Sequence, residues 1–315
     1  MRPHELGAAA SSPSPWTDFG AGIKVRQSRV FWMNSVVLEH RDHTVLVDPG
    51  VLPSELDDLA RALAHVPPPN VTLAFTHGDW DHVLGRPWWP GASTVAHDRF
   101  ASEVRRKREE IARAAGEAAA RAGERWDRGF EPFRPALAVS GLHFTSLGPW
   151  RVVFRDAPGH SGSMLTLHLP EHLLLIAADM LSDIEIPILE QPCGLYRRTL
   201  EELLPLAENG AIRTLVPGHG AIARTADQVL ARLGRDLRYL EELERRVRAA
   251  RVRGLELAAA QVELSAMDYT GKHADYSMVE NHRHNVQMVY YGIAALGTPE
   301  PPSRTAGRGF SATGR

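Results

Sequence analysis

Cysteine is nearly absent from this sequence: Cys193 is the only one in 315 residues. That excludes an internal disulfide and a cysteine-built zinc site. Long apolar runs are absent too; no stretch approaches the roughly 18 residues that a membrane-spanning helix needs. Charge of one sign is not in excess, at a net −2, so nothing favours a nucleic acid or an anionic membrane as partner. The start of the chain has Arg2 but no apolar core of a signal peptide. These absences point to a cytoplasmic protein whose partner is a small-molecule substrate. An apolar fraction of 43% and a charged fraction of 23% fit a globular chain able to bury a sizeable core.

What the sequence does have is an alternation of short apolar strands and helices. Residues 22–27 and 35–40 are β-rich, and Thr44-Val45-Leu46-Val47-Asp48 runs into an Asp-Pro-Gly turn. A helix is expected over 52–64, with Ser54 placed to cap it, then an apolar strand over 71–75. Residues 99–125 are Ala-rich with interspersed charges of both signs, the pattern of a solvated helix. They sit within an expected helical insertion at 98–135 that could act as a lid. The second half repeats the layout, with strands at 151–156, 164–169 and 172–178, a helix at 195–208 and a strand at 212–216. A long helix over 225–251 follows, its Leu230, Leu233, Leu237, Leu240, Leu243 and Val247 recurring every three or four residues. A last helix spans 277–296. Residues 1–19 read as a disordered lead-in and 297–315 as a disordered tail, leaving a single domain over 20–296. Two runs of strands, each followed by helices, predict two packed sheets with helices outside.

Histidine is plentiful, and its positions carry the chemistry. His77-Gly78-Asp79-Trp80-Asp81-His82 directly follows an apolar strand. In so tight a loop the carboxylates repel one another unless a cation lies between them. His160 sits in a Gly-His-Ser-Gly turn between two strands, Asp179 closes the apolar run 173–178, and His219 stands between Gly218 and Gly220 at another strand end. A carboxylate closing an apolar strand needs a partner, either a helix N-terminus or a metal. Asp48 lies in its Asp-Pro-Gly turn. Singly each has a plain structural explanation, as a turn cap or a surface histidine.

Together, in this order, the motifs resemble those of the metallo-β-lactamase superfamily: His-x-His-x-Asp-His, then a Gly-His turn, an Asp after a strand and a late Gly-His, over about residues 20 to 225. The resemblance implies an α/β fold, an αββα four-layer sandwich, with the site at one edge between the sheets. It implies two divalent metal ions. His77, Asp79 and His160 would hold one, Asp81, His82 and His219 the other, Asp179 would bridge them, and Asp48 would stand behind as a support. The second His of the motif is Asp79 here, an anionic oxygen on a shorter side chain. It either binds directly, which would suit iron or manganese, or falls short and leaves the first ion weak. Zinc is the expected metal, with iron or manganese as alternatives.

The expected activity is hydrolysis of a small ester, lactone, thioester or amide by a metal-bound hydroxide, with Asp81 as the catalytic group that orients it and moves its proton. A phosphodiesterase or nuclease of the same fold, or a di-iron redox enzyme, are the alternatives. Trp80, Trp32 and Tyr196 are candidate substrate-pocket residues, with Phe31 and Met33 on an early hairpin beside them. Trp88 and Trp89 read equally well as core or pocket. The run Asn281-His282-Arg283-His284-Asn285 faces several ways on its helix, so it reads as mostly surface, with one member able to reach the pocket.

Overall fold

The computed structural model describes residues 16–267 and 278–296. The expected tail at 297–315 and most of the expected lead-in lie outside them. Residues 16–18 of that lead-in form a strand, β1 (Trp16–Asp18), paired with the next strand, so the ordered sheet begins earlier than expected.

The first sheet has seven strands in sequence order: β1, β2 (Ile23–Gln27), β3 (Asn34–His40), β4 (His43–Val47), β5 (Val71–Ala74), β6 (Ser93–His97) and β7 (Leu137–Val139). It is antiparallel as far as β4 and parallel from β4 to β7. The second sheet joins β8 (Leu142–Leu147), β9 (Trp150–Asp156), β10 (Leu165–Leu169), β11 (Leu174–Ile176) and β12 (Thr214–Val216), with only β11 and β12 parallel. β1, β6, β7 and β8 are additions to the sequence reading.

Alternation along the strands sends side chains to opposite faces. Val36, Leu38, Val45 and Val47 of the first sheet meet Val152, Phe154, Leu165 and Leu167 of the second in a core between the sheets. The opposite faces are covered by helices. On the first sheet lie α1 (Pro53–Ala62), α2 (Phe100–Arg106) and α3 (Arg108–Arg121), where Leu46 and Leu73 pack with Leu56, Phe100 and Ile111. On the second lie α4 (Cys193–Glu208), α5 (Ala226–Val252), α6 (Leu257–Leu264) and α7 (Val279–Leu296), with Leu200, Leu233, Leu240, Leu243 and Val247 in its core. The result is the αββα sandwich. No helix among the described residues is long and apolar enough to cross a membrane.

Two helix details differ from expectation. α1 is capped at Leu52 rather than Ser54, because Glu55 reaches back to accept from the Leu52 N–H at 3.3 Å. Residues 99–125 form two helices that break at Lys107, and the pair is packed rather than solvated: Phe100, Glu103, Val104, Ile111, Ala115 and Ala119 are buried.

The parallel pairings place the site. Val47 is in register with Ala74, so Asp48 and Thr76 leave the sheet side by side. Ile176 is in register with Val216, so the segments carrying Asp179 and His219 also leave together. The sheets are stitched where these ends meet: the Leu165 N–H donates to the Thr76 carbonyl at 2.8 Å, and the Asn34 N–H to the Gly218 carbonyl at 2.7 Å.

Candidate metal centre

Every residue expected at the metal site converges at this edge of the sandwich. His77, Asp79, His160 and Asp179 form one group of facing ligand atoms, and Asp81, His82 and His219 form a second. Asp179 lies between them. Its Oδ2 is 3.5 Å from His77 Nε2 and 3.3 Å from His160 Nε2, while its Oδ1 is 3.1 Å from His82 Nε2 and 3.4 Å from His219 Nε2. Asp79 Oδ2 is 3.2 Å from His160 Nε2 and 3.7 Å from His77 Nε2. Asp81 Oδ2 is 3.5 Å from His219 Nε2. Two ligands about 2.1 Å from one tetrahedral ion lie roughly 3.4 Å apart, so these separations suit a shared ion.

The histidines are held in one way. His82 Nδ1 donates to Asp48 Oδ2 at 2.8 Å, His219 Nδ1 to the Phe31 carbonyl at 2.9 Å, and His160 Nδ1 to the Ile188 carbonyl at 3.3 Å. For His77 the partner is the Thr76 hydroxyl at 2.9 Å. That hydroxyl gives its one proton to Asp48 Oδ2, 2.6 Å away, so it can only accept from His77. All four Nδ1 atoms therefore have acceptors, and all four Nε2 atoms face the same carboxylates. This is how a metal-binding imidazole is oriented from behind. Asp48 holds His82 directly and His77 through Thr76, whose N–H it also accepts at 2.8 Å.

Burial pushes His82, His160 and His219 toward their neutral forms, and the facing carboxylates outweigh it. His160 is held up at about 9 by Asp79 and Asp179, His219 at about 10 by Asp179 first, and His82 well above its usual range. Asp79 and Asp179, though buried, are held well below the carboxylate range by the imidazoles around them. The cavity thus demands positive charge. His77 Nε2 and Asp179 Oδ1 are buried with no hydrogen-bond partner among the described residues. Buried polar atoms are rarely left so, and a cation between them satisfies both.

Close approach fixes one glycine. A Cβ on Gly218 would stand 2.1 Å from Asp179 Oδ1, so the Asp179 carboxylate can lie across this backbone only if residue 218 has no side chain.

Tyr196 corrects its sequence reading as a pocket residue. It is fully buried under the His160 turn, a Cβ on Gly159 would meet its ring at 2.5 Å, and its hydroxyl donates to the Asp179 carbonyl at 3.1 Å. It supports the turn and the bridging residue. Trp32 and Trp80 are half-buried, and Trp80 meets Phe31 edge to face at 6.1 Å. Met33 and Trp89 are buried, whereas the half-buried Trp88 donates its indole N–H to Asp57 at 2.6 Å. The 281–285 run is less exposed than expected, with His282 and Asn285 buried and no member at the centre.

One neighbour group escaped the sequence reading. Lys107 Nζ lies 2.5 Å from Asp79 Oδ1, 3.1 Å from Glu103 Oε1 and 3.2 Å from Glu190 Oε2. The oxygens of the three acids lie within 4.8 Å of one another. At an effective dielectric of about 20 such a pair repels by on the order of 3 kcal/mol, less where water reaches Glu190. Burial opposes the Lys107 charge, but Asp79 and Glu190 outweigh it and raise the ammonium above its usual range. Ser161, next to His160, donates to Glu103 at 3.0 Å. The only sequence signal was Glu103 and Lys107 four apart on a helix, a spacing equally common on solvated faces.

Comparison with known proteins gives the family and the fold. A family model described as the metallo-beta-lactamase superfamily matches residues 33–224. No curated protein sequence matches the chain. Among solved structures, the stereoselective inverting sec-alkylsulfatase from Pseudomonas sp. is similar at TM-score 0.69 and 16% identity, covering 92% of this chain and 52% of that one. The chain thus spans about half the length of the alkylsulfatase. A metallo-beta-lactamase family protein from Thermus thermophilus is similar at TM-score 0.60 and 20% identity, covering 84% of this chain and 89% of that one. A metal-soaked flavodiiron core from Synechocystis sp. reaches TM-score 0.50 at 14% identity, covering 74% of this chain and 62% of that one.

Proposed function

The chain belongs to the metallo-beta-lactamase superfamily, and from that premise we propose that it is a metal-dependent hydrolase of a small ester, lactone, thioester or amide. The observation that carries this reading is the common orientation of four imidazoles, each with Nδ1 held from behind and Nε2 turned toward the same carboxylates. In this reading His77, Asp79 and His160 would hold a first divalent ion, Asp81, His82 and His219 a second, and Asp179 would serve both. Bound there, the ions supply a water of lowered pKa and a Lewis acid for the substrate oxygen. Asp81 would orient the attacking water and carry its proton toward the leaving group. Trp32 and Trp80 supply an apolar wall beside it.

With Asp79 in place of histidine, each set offers two imidazoles and two carboxylates, Asp179 being counted in both. Zinc suits both sets. Iron or manganese is the second reading, favoured by the oxygen donor that Asp79 adds to the first set.

Two measurements test the proposal. Metal analysis is expected to find two ions in the wild-type chain and one in Asp79→Ala; equal content in both would remove Asp79 from the ligands. A panel of chromogenic esters, lactones, thioesters, alkyl sulfates and phosphodiesters is expected to give metal-dependent turnover in the first three classes, lost in Asp81→Ala with the fold retained. Turnover confined to phosphodiesters, or persisting in Asp81→Ala, would overturn the substrate class or the role of Asp81 respectively.

A further inference from the structure

We propose that Lys107 is a positioning residue that turns Asp79 into a one-oxygen, charge-compensated substitute for an imidazole ligand. The proposal rests on the metal-centre reading above. It assigns to α2 a structural part in the centre in place of the lid role.

The geometry divides the two oxygens of Asp79. Oδ1 is taken by the Lys107 ammonium at 2.5 Å, while Oδ2 faces His160 Nε2 at 3.2 Å and His77 Nε2 at 3.7 Å. A carboxylate so held presents a single donor atom in a fixed direction, as an imidazole does. Its negative charge is also balanced locally, so the first half of the centre gains an oxygen donor without carrying an uncompensated charge.

The ammonium is itself fixed. It bridges Glu103 and Glu190, and Glu103 accepts from Ser161, beside His160. The C-terminal end of α2, with Lys107 as its cap, therefore grips both the Asp79 side chain and the His160 turn. A Cβ on Gly78 would lie 2.9 Å from the Glu103 side chain, which shows how closely this helix is seated on the motif loop. Without the ammonium, Asp79, Glu103 and Glu190 would face one another with only the exposed Arg106 guanidinium nearby, 3.9 Å from Glu103 on its outer side. Asp79 would swing away from the other two acids, and that movement takes its donor oxygen out of the centre.

A double-mutant cycle on the full chain tests this. Wild type, Lys107→Met, Asp79→His and Asp79→His/Lys107→Met are stripped with a chelator, checked for folding by thermal melting, and titrated with zinc against a competing chelator. Lys107→Met is expected to weaken the first-half ion by at least about tenfold when residue 79 is Asp, and by less than about threefold when it is His. The second-half ion should keep its affinity throughout. Lys107→Arg, which retains the charge, should stay within about threefold of wild type. Equal losses in both backgrounds would reduce Lys107 to a support of its helix and overturn the proposal, as would an unchanged affinity in Lys107→Met. A wild-type chain that takes up fewer than two ions would instead overturn the metal-centre reading and this inference with it.

Discussion

The two halves of the centre hold the same donor types on different supports. In the second half, His82 is backed by the Asp48 carboxylate at 2.8 Å and His219 by the Phe31 carbonyl at 2.9 Å. Both supports come from the first sheet and its hairpin, and His219 itself forms a β-bridge with Met33. In the first half, His160 is backed by the Ile188 carbonyl at 3.3 Å, and Asp79 by a lysine from the end of α2. Those two supports belong to a loop and to the end of a helix outside the sheets, and only His77, through Thr76, is held from the first sheet. The charge-assisted hydrogen bond that His82 gives to a sheet-anchored carboxylate is stronger and stiffer than the longer one that His160 gives to a loop carbonyl. The second half is therefore expected to bind its ion first and more tightly, and the first half to be the place where affinity is adjusted.

The largest expected effect comes from the one residue that both halves share. Asp179→Ala should weaken both zinc steps together and take turnover below detection, while the stripped protein still melts cooperatively. If one step kept its wild-type affinity, Asp179 would belong to a single half and the symmetry of the two would be lost. Gly218→Ala should act in the same direction by displacing Asp179 Oδ1, with second-half binding measured by the same titration. Next in size is Asp48→Asn. Loss of the charged acceptor behind His82 should weaken the second-half ion by about 10- to 100-fold. The first-half ion should weaken less, since Asp48 reaches His77 only through the Thr76 hydroxyl. A larger loss in the first half would reverse the comparison.

The residues that meet at the candidate centre stood out in the sequence as His and Asp near strand ends, while their division into two ligand sets came from the family resemblance. His77, Asp179 and His219 stand in turns after short buried strands, Asp81 and His82 further along the same loop as His77, and His160 in the turn after β9. Their supports were less legible. Asp48 was anticipated through family resemblance, but Ile188 and Phe31 act through backbone carbonyls, which any residue provides. Lys107 and Glu103 carry the same letters as a solvated helix, and only packing against Gly78 and Ser161 turns them inward. Tyr196 failed for a related reason: a tyrosine that opens a helix can line a pocket or lie beneath a turn, and the absence of a Cβ at Gly159 decides for the latter. The strands that escaped notice have a physical cause as well. β1 and β8 lie at sheet edges with half-exposed alternation, and β6 follows a Trp- and Pro-rich stretch that masks its short apolar run.

The smallest expected effect lies furthest from the ions, at Asn285 on α7. Its amide donates to the Pro187 carbonyl at 2.6 Å and to the Tyr239 hydroxyl at 2.9 Å, and its oxygen accepts from the Leu189 N–H at 2.9 Å. His284 adds a hydrogen bond to the Leu189 carbonyl at 2.8 Å. Ile188, whose carbonyl orients His160, is thus clamped on both sides. Asn285→Ala would leave a buried N–H and a buried carbonyl unpaired, at a cost to stability of about 1–3 kcal/mol for each group. Freed of the clamp, the Ile188 carbonyl would no longer fix the His160 ring, and the first-half ion should weaken by roughly three- to tenfold, below the direct effect at Asp48. The second half shares no support with Asn285, so its zinc step should not move. If both steps weakened equally, the change would be a general loosening of the fold, and the first half would not owe its lower affinity to outer supports. If only the first step moved, α7 would join α2 as an element that sets the first ion's affinity from outside the sheets.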